Sequence, residues 1–175
     1  MDEELRPLSP ATVFQLPPDT VSEDPARFQS RAEYPRDWMD SDLTDVNLFN
    51  DVFAGLISVW EDPDDKRVYV IDGHRRLRLA KRLQAPSVYV QFLKAERDAD
   101  AFVRGVELNL AQWAFEREDK LVWAIASRRA AVERALHTRW LDVDGEAAVR
   151  LYKYYPDLGR RYSSFPQDHT EAGRG

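Results

Sequence analysis

A short strand-turn-helix segment carries the residues of this chain that are best suited to bind an anion. Residues 70–80 read VIDGHRRLRLA, and the centre of this segment is Gly73, His74, Arg75 and Arg76. The start of a helix presents unpaired N–H groups and a partial positive charge, which suits phosphate. Gly73 permits a positive φ or a close backbone approach. The two arginines can add charge-assisted bonds to phosphate oxygens.

The same residues also fit a helix that binds nothing. Asp72 is a common type of N-cap residue, and Gly73 can serve the turn alone. The arginines can pair with acidic side chains of residues 1–66. His74 can donate a hydrogen bond or act as a general acid or base, but it can also be a plain surface residue. Residue types alone leave both interpretations open.

Hydrophobic spacing predicts the elements that position this turn. The second half of residues 52–60 and residues 67–71 are β-branched and aromatic, and they predict two strands paired as a hairpin around residues 61–66. Residues 74–83 change to helical spacing, and residues 87–93 predict a third strand. A helix between two strands is typical of a crossover, so the second and third strands are predicted to be parallel.

The flanking regions give weaker patterns. Proline and acidic residues in residues 1–27 predict an irregular arm with a short strand at Phe14–Leu16. The remaining predictions are a loop with a short helix at 28–50, helices at 97–112, 116–140 and 146–155, the last ended by Pro156, and a mobile tail at 163–175.

The composition excludes several classes of protein. The chain has 175 residues, a net charge of −6, three histidines and no cysteine. Disulfides, thiolate zinc sites and cysteine nucleophiles are therefore excluded, and the wide spacing of the histidines argues against zinc. No apolar run is long enough to span a membrane, and the start is not a signal peptide. We expect a cytoplasmic protein with no membrane partner.

The charges are unevenly distributed along the chain. Residues 1–66 hold 16 acidic and 5 basic residues, whereas residues 67–140 hold 15 basic and 9 acidic residues. A basic middle region can indicate an anion site, or it can indicate two halves that pack with complementary surfaces.

Three segments resemble boxes of the ParB/sulfiredoxin superfamily, and the resemblance as a whole covers about residues 11–112. Residues 72–83 read DGHRRLRLAKRL and precede VYV at 88–90; they resemble the central box, where a strand ends in G-x-[HR]-R before a helix and a V-x-V strand. Residues 24–31 are similar to the opening segment that ends in Q-P-R. Residues 107–112 are similar to the E-N-x-x-R box.

The resemblance implies an α+β fold, with a compact mixed-sheet domain at residues 1–112 that binds a nucleoside triphosphate and Mg²⁺. A helical extension follows at residues 113–175. The candidate catalytic residues are His74 and Glu107. The candidate nucleotide-binding residues are Asp72, Gly73, His74, Arg75, Arg76, Gln29, Arg31 and Asn109, and no residue is assigned as a metal ligand.

Departures from the family pattern indicate which members of the superfamily this chain resembles most. The lack of cysteine excludes sulfiredoxin chemistry, whose reactive Cys lies in the same turn. Partition proteins have Glu at the position of His74, and their box has no residue corresponding to Leu108 between Glu107 and Asn109. The turn is closer to the D-G-H-H-R form of free-serine kinases and phage or mobile-element relatives.

Two functions remain open at this point. The first is a nucleotide hydrolase or phosphotransferase that acts at residues 72–76. The second is a non-catalytic module that contacts protein or DNA through residues 113–175. A homodimer is compatible with either function.

Overall fold

The fold is taken from a computed structural model that describes residues 13–30, 55–116 and 118–165. Of these, residues 13–28 and 55–96 form one compact unit, and residues 29–30 and 97–165 form a second. The predicted domain boundary after residue 112 falls inside a helix, and the division into domains stays a prediction. The predicted loop at 31–50 and the end of the predicted tail, 166–175, lie outside the described residues.

The first unit is a five-stranded mixed sheet with two helices. Its strands are β1 (Val13–Leu16), β2 (Val21–Ser22), β3 (Ile57–Glu61), β4 (Val68–Asp72) and β5 (Val88–Phe92), in the spatial order β1-β5-β3-β4-β2. Its helices are α1 (Pro25–Phe28) and α2 (His74–Arg82). The predicted α+β class and the β3–β4 hairpin are confirmed. In the arm predicted at 1–27, the short strand expected at Phe14–Leu16 is confirmed as β1. The irregular structure predicted for residues 17–27 is wrong in part, because β2 and most of α1 lie there.

The predicted parallel arrangement of β4 and β5 is wrong. β5 pairs in parallel with β3, and β3 is antiparallel to β4, so β5 runs opposite to β4. A strand-helix-strand pattern indicates that another strand follows the helix. It does not determine which of the earlier strands that new strand pairs with. Because β5 joins β3, its direction is set by β3.

Residues 13–22 supply both edges of the sheet. β1 pairs with β5 on one side and β2 pairs with β4 on the other. Five residue steps from Leu16 to Val21 span at most about 18 Å, and the 3₁₀ turn at Pro18–Thr20 shortens that reach. Edge strands of a flat five-stranded sheet lie about 19 Å apart. The sheet is therefore curled.

Helix α2 packs its apolar side on the sheet. Leu77 and Ala80 are fully buried, in a cluster whose other members are Val21, Ile57, Val59, Val70, Val88 and Val90. Two contacts tie α2 to the segment around β2. Arg78 Nε donates to Glu23 Oε1 at 2.8 Å, and Lys81 Nζ donates to the carbonyl of Val21 at 2.8 Å.

Arg27, in the segment similar to the family's opening box, has a structural role. Its guanidinium pairs with Asp24 at 2.7 Å and with the buried Asp62 at 3.3 Å. It also stacks over the rings of Phe28 and Tyr69, at 4.8 and 4.7 Å from their centroids. Arg27 thereby joins α1 to the β3–β4 hairpin and balances the charge of a buried carboxylate.

The second unit is helical and contains α3 (Asp98–Glu116), α4 (Glu118–His137), α5 (Glu146–Leu151) and α6 (Pro156–Tyr162). The buried Tyr155 donates its hydroxyl to the carbonyl of Ile125 at 2.7 Å, and burial raises the pKa of Tyr155 to about 12. No helix in the described part of the chain is both long and apolar enough to cross a membrane.

Two predictions for the C-terminal region are wrong. Helix α5 ends at Leu151, and Pro156 begins α6, because the fixed φ of proline suits the first helical position. The predicted mobile tail does not begin at Ser163. The Ser163 hydroxyl and the Ser164 N–H both bond to the Asp144 carboxylate, at 3.2 and 2.7 Å.

Candidate functional site

The turn between β4 and α2 depends on a glycine for two reasons. Gly73 has φ 100° and ψ 25°, which is a left-handed conformation that side chains disfavour. A Cβ at this position would also lie 3.3 Å from Cγ1 of Ile57. The turn thus combines an unusual backbone conformation with close packing against β3.

The first turn of α2 has no side-chain cap. Gly73 occupies the N-cap position, and Asp72 is the last residue of β4. The interpretation of Asp72 as the N-cap of a plain helix is therefore wrong. The first hydrogen bond within the helix runs from the N–H of Leu77 to the carbonyl of Gly73 at 3.0 Å. The N–H groups of residues 74–76 precede this bond, where an anion can accept from them.

His74 is buried at the start of α2. Its side chain is 8% exposed, and its Nε2 has no hydrogen-bond partner in the described structure. Burial, and secondarily the charge of Arg78, lower the pKa of His74 to about 4, although Glu23 and Asp72 act in the opposite direction. His74 is therefore neutral near pH 7. A neutral imidazole can donate one N–H or accept one proton, but it does not add positive charge to the site.

The two arginines of the turn differ in their surroundings. Arg76 Nη1 donates to the carbonyl of Leu56 at 2.7 Å, next to Gly55, whose φ is 76°. Arg76 thus holds the backbone that leads into β3, and its guanidinium has further N–H groups that can serve a ligand. Arg75 lies in the same turn and is half-buried.

Replacing Arg76 with alanine is expected to lower the free energy of unfolding by about 1 kcal/mol, because one hydrogen bond between α2 and the β3 approach is lost. Urea denaturation measures the change. Arg160→Ala removes the same charge from an exposed position in α6, and it should change stability by less than about 0.5 kcal/mol. Equal effects of the two variants would show that the Leu56 contact adds nothing.

Of the remaining predicted site residues, three belong to the second unit and one lies outside the described residues. Gln29 belongs to the second unit, and Arg31 lies outside the described residues. Glu107 and Asn109 lie on α3, also in the second unit. The Glu107 carboxylate accepts from Arg150 at 2.7 Å and lies 3.6 Å from Arg104. The roles predicted for these four residues stay predictions.

The described residues contain no group of three His, Cys, Asp or Glu side chains that could hold a metal ion. Mg²⁺ is commonly bound through one or two carboxylates together with substrate phosphates and water. Asp72 is the carboxylate nearest in sequence to the turn. Asp72 could supply the one protein ligand of such a site, and phosphate oxygens and water would supply the others.

Sequence reasoning did not single out Ser58 and Gln91, which lie beside the turn. Gln91 Nε2 donates to Ser58 Oγ at 3.0 Å, and Ser58 is the cross-strand partner of Asp72. A polar residue within an apolar strand, such as Ser58 between Ile57 and Val59, was the available signal. Which polar residues meet depends on strand register, which the sequence pattern did not provide.

No protein-family model matches this chain, and no curated protein matches it. Two solved structures of the C-terminally truncated chromosome-partitioning protein ParB from Caulobacter crescentus are similar to it. The complex with CTP-γ-S is 14% identical, with 81% of this chain and 97% of that chain covered at a TM-score of 0.34. The complex with the centromeric parS site is 12% identical, with 85% and 98% covered at a TM-score of 0.34. These values are too low to transfer residue roles or ligands to this chain.

Proposed function

We propose that the turn at residues 72–76 binds the phosphates of a nucleoside triphosphate together with Mg²⁺. One observation carries the proposal: a left-handed glycine opens an uncapped helix whose first residue, His74, has a buried nitrogen without a partner. A buried polar atom without a hydrogen bond costs about 1–3 kcal/mol, and a bound ligand would offset that cost. The resemblance of residues 72–83 to the ParB/sulfiredoxin box, of the phage or mobile-element type, supports the same site.

Each group of the turn has a distinct role in this proposal. The N–H groups of residues 74–76 and the helix dipole attract phosphate oxygens. Arg75 adds a charge-assisted bond, and the imidazole of His74 donates a neutral one. Bound Mg²⁺ would neutralise phosphate charge and would take its ligands mainly from phosphate oxygens and water.

Hydrolysis or phosphate transfer would require a base at the attacking group. Neutral His74 can accept a proton, although a pKa of about 4 makes it a weak base at pH 7. The Glu107 carboxylate is engaged with Arg150. This ion pair favours the second candidate function, a non-catalytic nucleotide or partner-binding module. Contacts of residues 113–175 with protein or DNA, and a homodimer, belong to that proposal.

Nucleotide-dependent stabilisation tests the binding site. A nucleoside triphosphate at 100 times its Kd should stabilise the wild-type protein by about 2.7 kcal/mol, which thermal unfolding with Mg²⁺ detects. Arg75→Ala should abolish the shift without lowering the melting temperature of the free protein by more than a few degrees, because Arg75 provides charge to the phosphates.

Arg160→Ala is the matched control, because it removes one arginine from an exposed position on α6. Its nucleotide-dependent shift should equal that of the wild type. If no nucleoside mono-, di- or triphosphate stabilises the wild type, the proposed function is wrong. If Arg75→Ala keeps the full shift, nucleotides bind elsewhere on the protein.

A further inference from the structure

A row of three polar side chains crosses the sheet beside the turn. Gln91 of β5, Ser58 of β3 and Asp72 of β4 lie on three adjacent strands, and the strand register pairs Ser58 with both of the others. Directly paired residues in a regular stretch of two strands share a face of the sheet, as Ser58 and Gln91 do, and Asp72 is the residue of β4 that pairs with Ser58. The row therefore runs from the phosphate turn, where Asp72 precedes Gly73, toward β5.

Burial differs along this row. Ser58 is 4% exposed, whereas Gln91 and Asp72 are half-buried and can reach solvent. The neighbours of Ser58 in its strand, Ile57 and Val59, are apolar and buried. A buried hydroxyl is costly unless it forms a hydrogen bond, and Ser58 accepts one from Gln91 Nε2 at 3.0 Å. This bond fixes the direction of the Gln91 amide.

The strand pairing is irregular at this point. The register between β3 and β4 shifts between Ser58 and Val59. Such irregularities change the direction of side chains and often lie next to binding sites. Here the register shift lies next to Ser58, which is the residue of β3 that pairs with Asp72.

We propose that this row binds the nucleoside part of the nucleotide, with Asp72 and Gln91 contacting its hydroxyl groups or base edge. The inference rests on the proposed phosphate site at residues 74–76. A carboxylate accepts hydrogen bonds from sugar hydroxyls, and an amide both donates and accepts. Two strand spacings place Gln91 about 9.6 Å from Asp72, so the row extends away from the phosphates as a nucleoside does. Ser58 is a positioning residue that orients Gln91.

The row has the chemistry of a nucleoside site more than that of a cation site. It contains a single carboxylate, and a neutral amide already donates to the serine oxygen that a cation would use. Mg²⁺ keeps several oxygen ligands in a near-octahedral arrangement. A hydroxyl-bearing ligand is satisfied by one carboxylate and one oriented amide.

Comparing two probes separates this subsite from the phosphate turn. Isothermal titration would measure binding of a ribonucleoside triphosphate and of inorganic pyrophosphate, each with and without Mg²⁺. Ser58→Ala and Gln91→Leu should each weaken nucleotide binding about tenfold, in line with the loss of one to two hydrogen bonds. Both variants should leave pyrophosphate binding within about twofold of the wild type. Arg75→Ala should weaken both probes.

Gln15→Leu is the matched control, because Gln15 is an exposed glutamine on the neighbouring strand β1 whose amide contacts Ser87 at 3.5 Å. It should change neither affinity. If Ser58→Ala does not fold, Gln91→Leu still tests the inference, because Gln91 is only half-buried. Circular dichroism confirms that each titrated variant is folded.

Two results would overturn the inference. Unchanged nucleotide affinity in both row variants would show that the row does not touch the nucleoside. Equal weakening of pyrophosphate binding would make the row part of the phosphate site. These results leave the proposed function standing. If the wild type binds neither probe, the proposed function fails, and the nucleoside subsite fails with it.

Discussion

Replacing Gly73 with alanine is expected to destabilise the protein by about 3 kcal/mol and to remove nucleotide-dependent stabilisation. Adopting a left-handed conformation costs a residue with a Cβ about 1–2 kcal/mol, and φ at Gly73 is 100°. The added Cβ also presses on Ile57 from 3.3 Å, and overpacking of this kind adds about 1–3 kcal/mol. Urea denaturation measures the stability, and thermal unfolding with a nucleoside triphosphate measures the binding.

Gly55→Ala separates the two causes. Gly55 also has a positive φ, of 76°, but among the described residues its added Cβ would meet just the end of the Arg76 side chain, at 3.4 Å. We expect a loss of about 1 kcal/mol from the backbone conformation alone. If the two glycine variants lose the same stability, the contact with Ile57 does not contribute.

The stability of the protein is expected to fall by about 3 kcal/mol between pH 7 and pH 4 because of His74 alone. The pKa of His74 is about 4 in the folded protein and about 6.5 in the unfolded chain. Between these values the unfolded chain binds a proton that the folded protein does not. Stability therefore falls as pH decreases through this window and is constant, for this group, above pH 6.5. Each pKa unit corresponds to about 1.4 kcal/mol.

A comparison of variants isolates this effect from the titration of the many carboxylates. The unfolding free energy of the wild type and of His74→Leu would be measured in urea at pH 7, 5.5 and 4. The difference between the two proteins should change by about 3 kcal/mol across the series. Parallel curves for wild type and His74→Leu would contradict the buried neutral state.

Local patterns predicted those parts of the fold that local interactions determine. The β-branched run before the turn and the helical spacing after it correctly gave β3, β4 and α2. The two-residue strand β2 has no pattern of its own, and it exists because Val21 and Ser22 pair with β4. The direction of β5 and the helix that begins at Pro156 likewise depend on contacts with distant parts of the chain.

The candidate site shows the same division. The sequence predicted a glycine turn at the start of a helix, since residue types and spacing determine that turn. It did not predict that Arg76 would hold the carbonyl of Leu56, or that Gln91 would bond to Ser58. These contacts join residues 20 and 33 positions apart. The burial of His74 also follows from the packing of α2, which no property of an isolated histidine indicates.

The placement of residues 13–22 has a consequence for resistance to aggregation. Exposed edge strands are templates onto which another chain can add a strand, and short edges limit this risk. In this sheet the outermost strands are β1 and β2, with four and two residues, and they cover the five-residue strands β5 and β4. Proteolytic loss of residues 13–22 would expose β5 and β4 together as longer edge strands. A single stretch of ten residues therefore protects both sides of the sheet from intermolecular pairing.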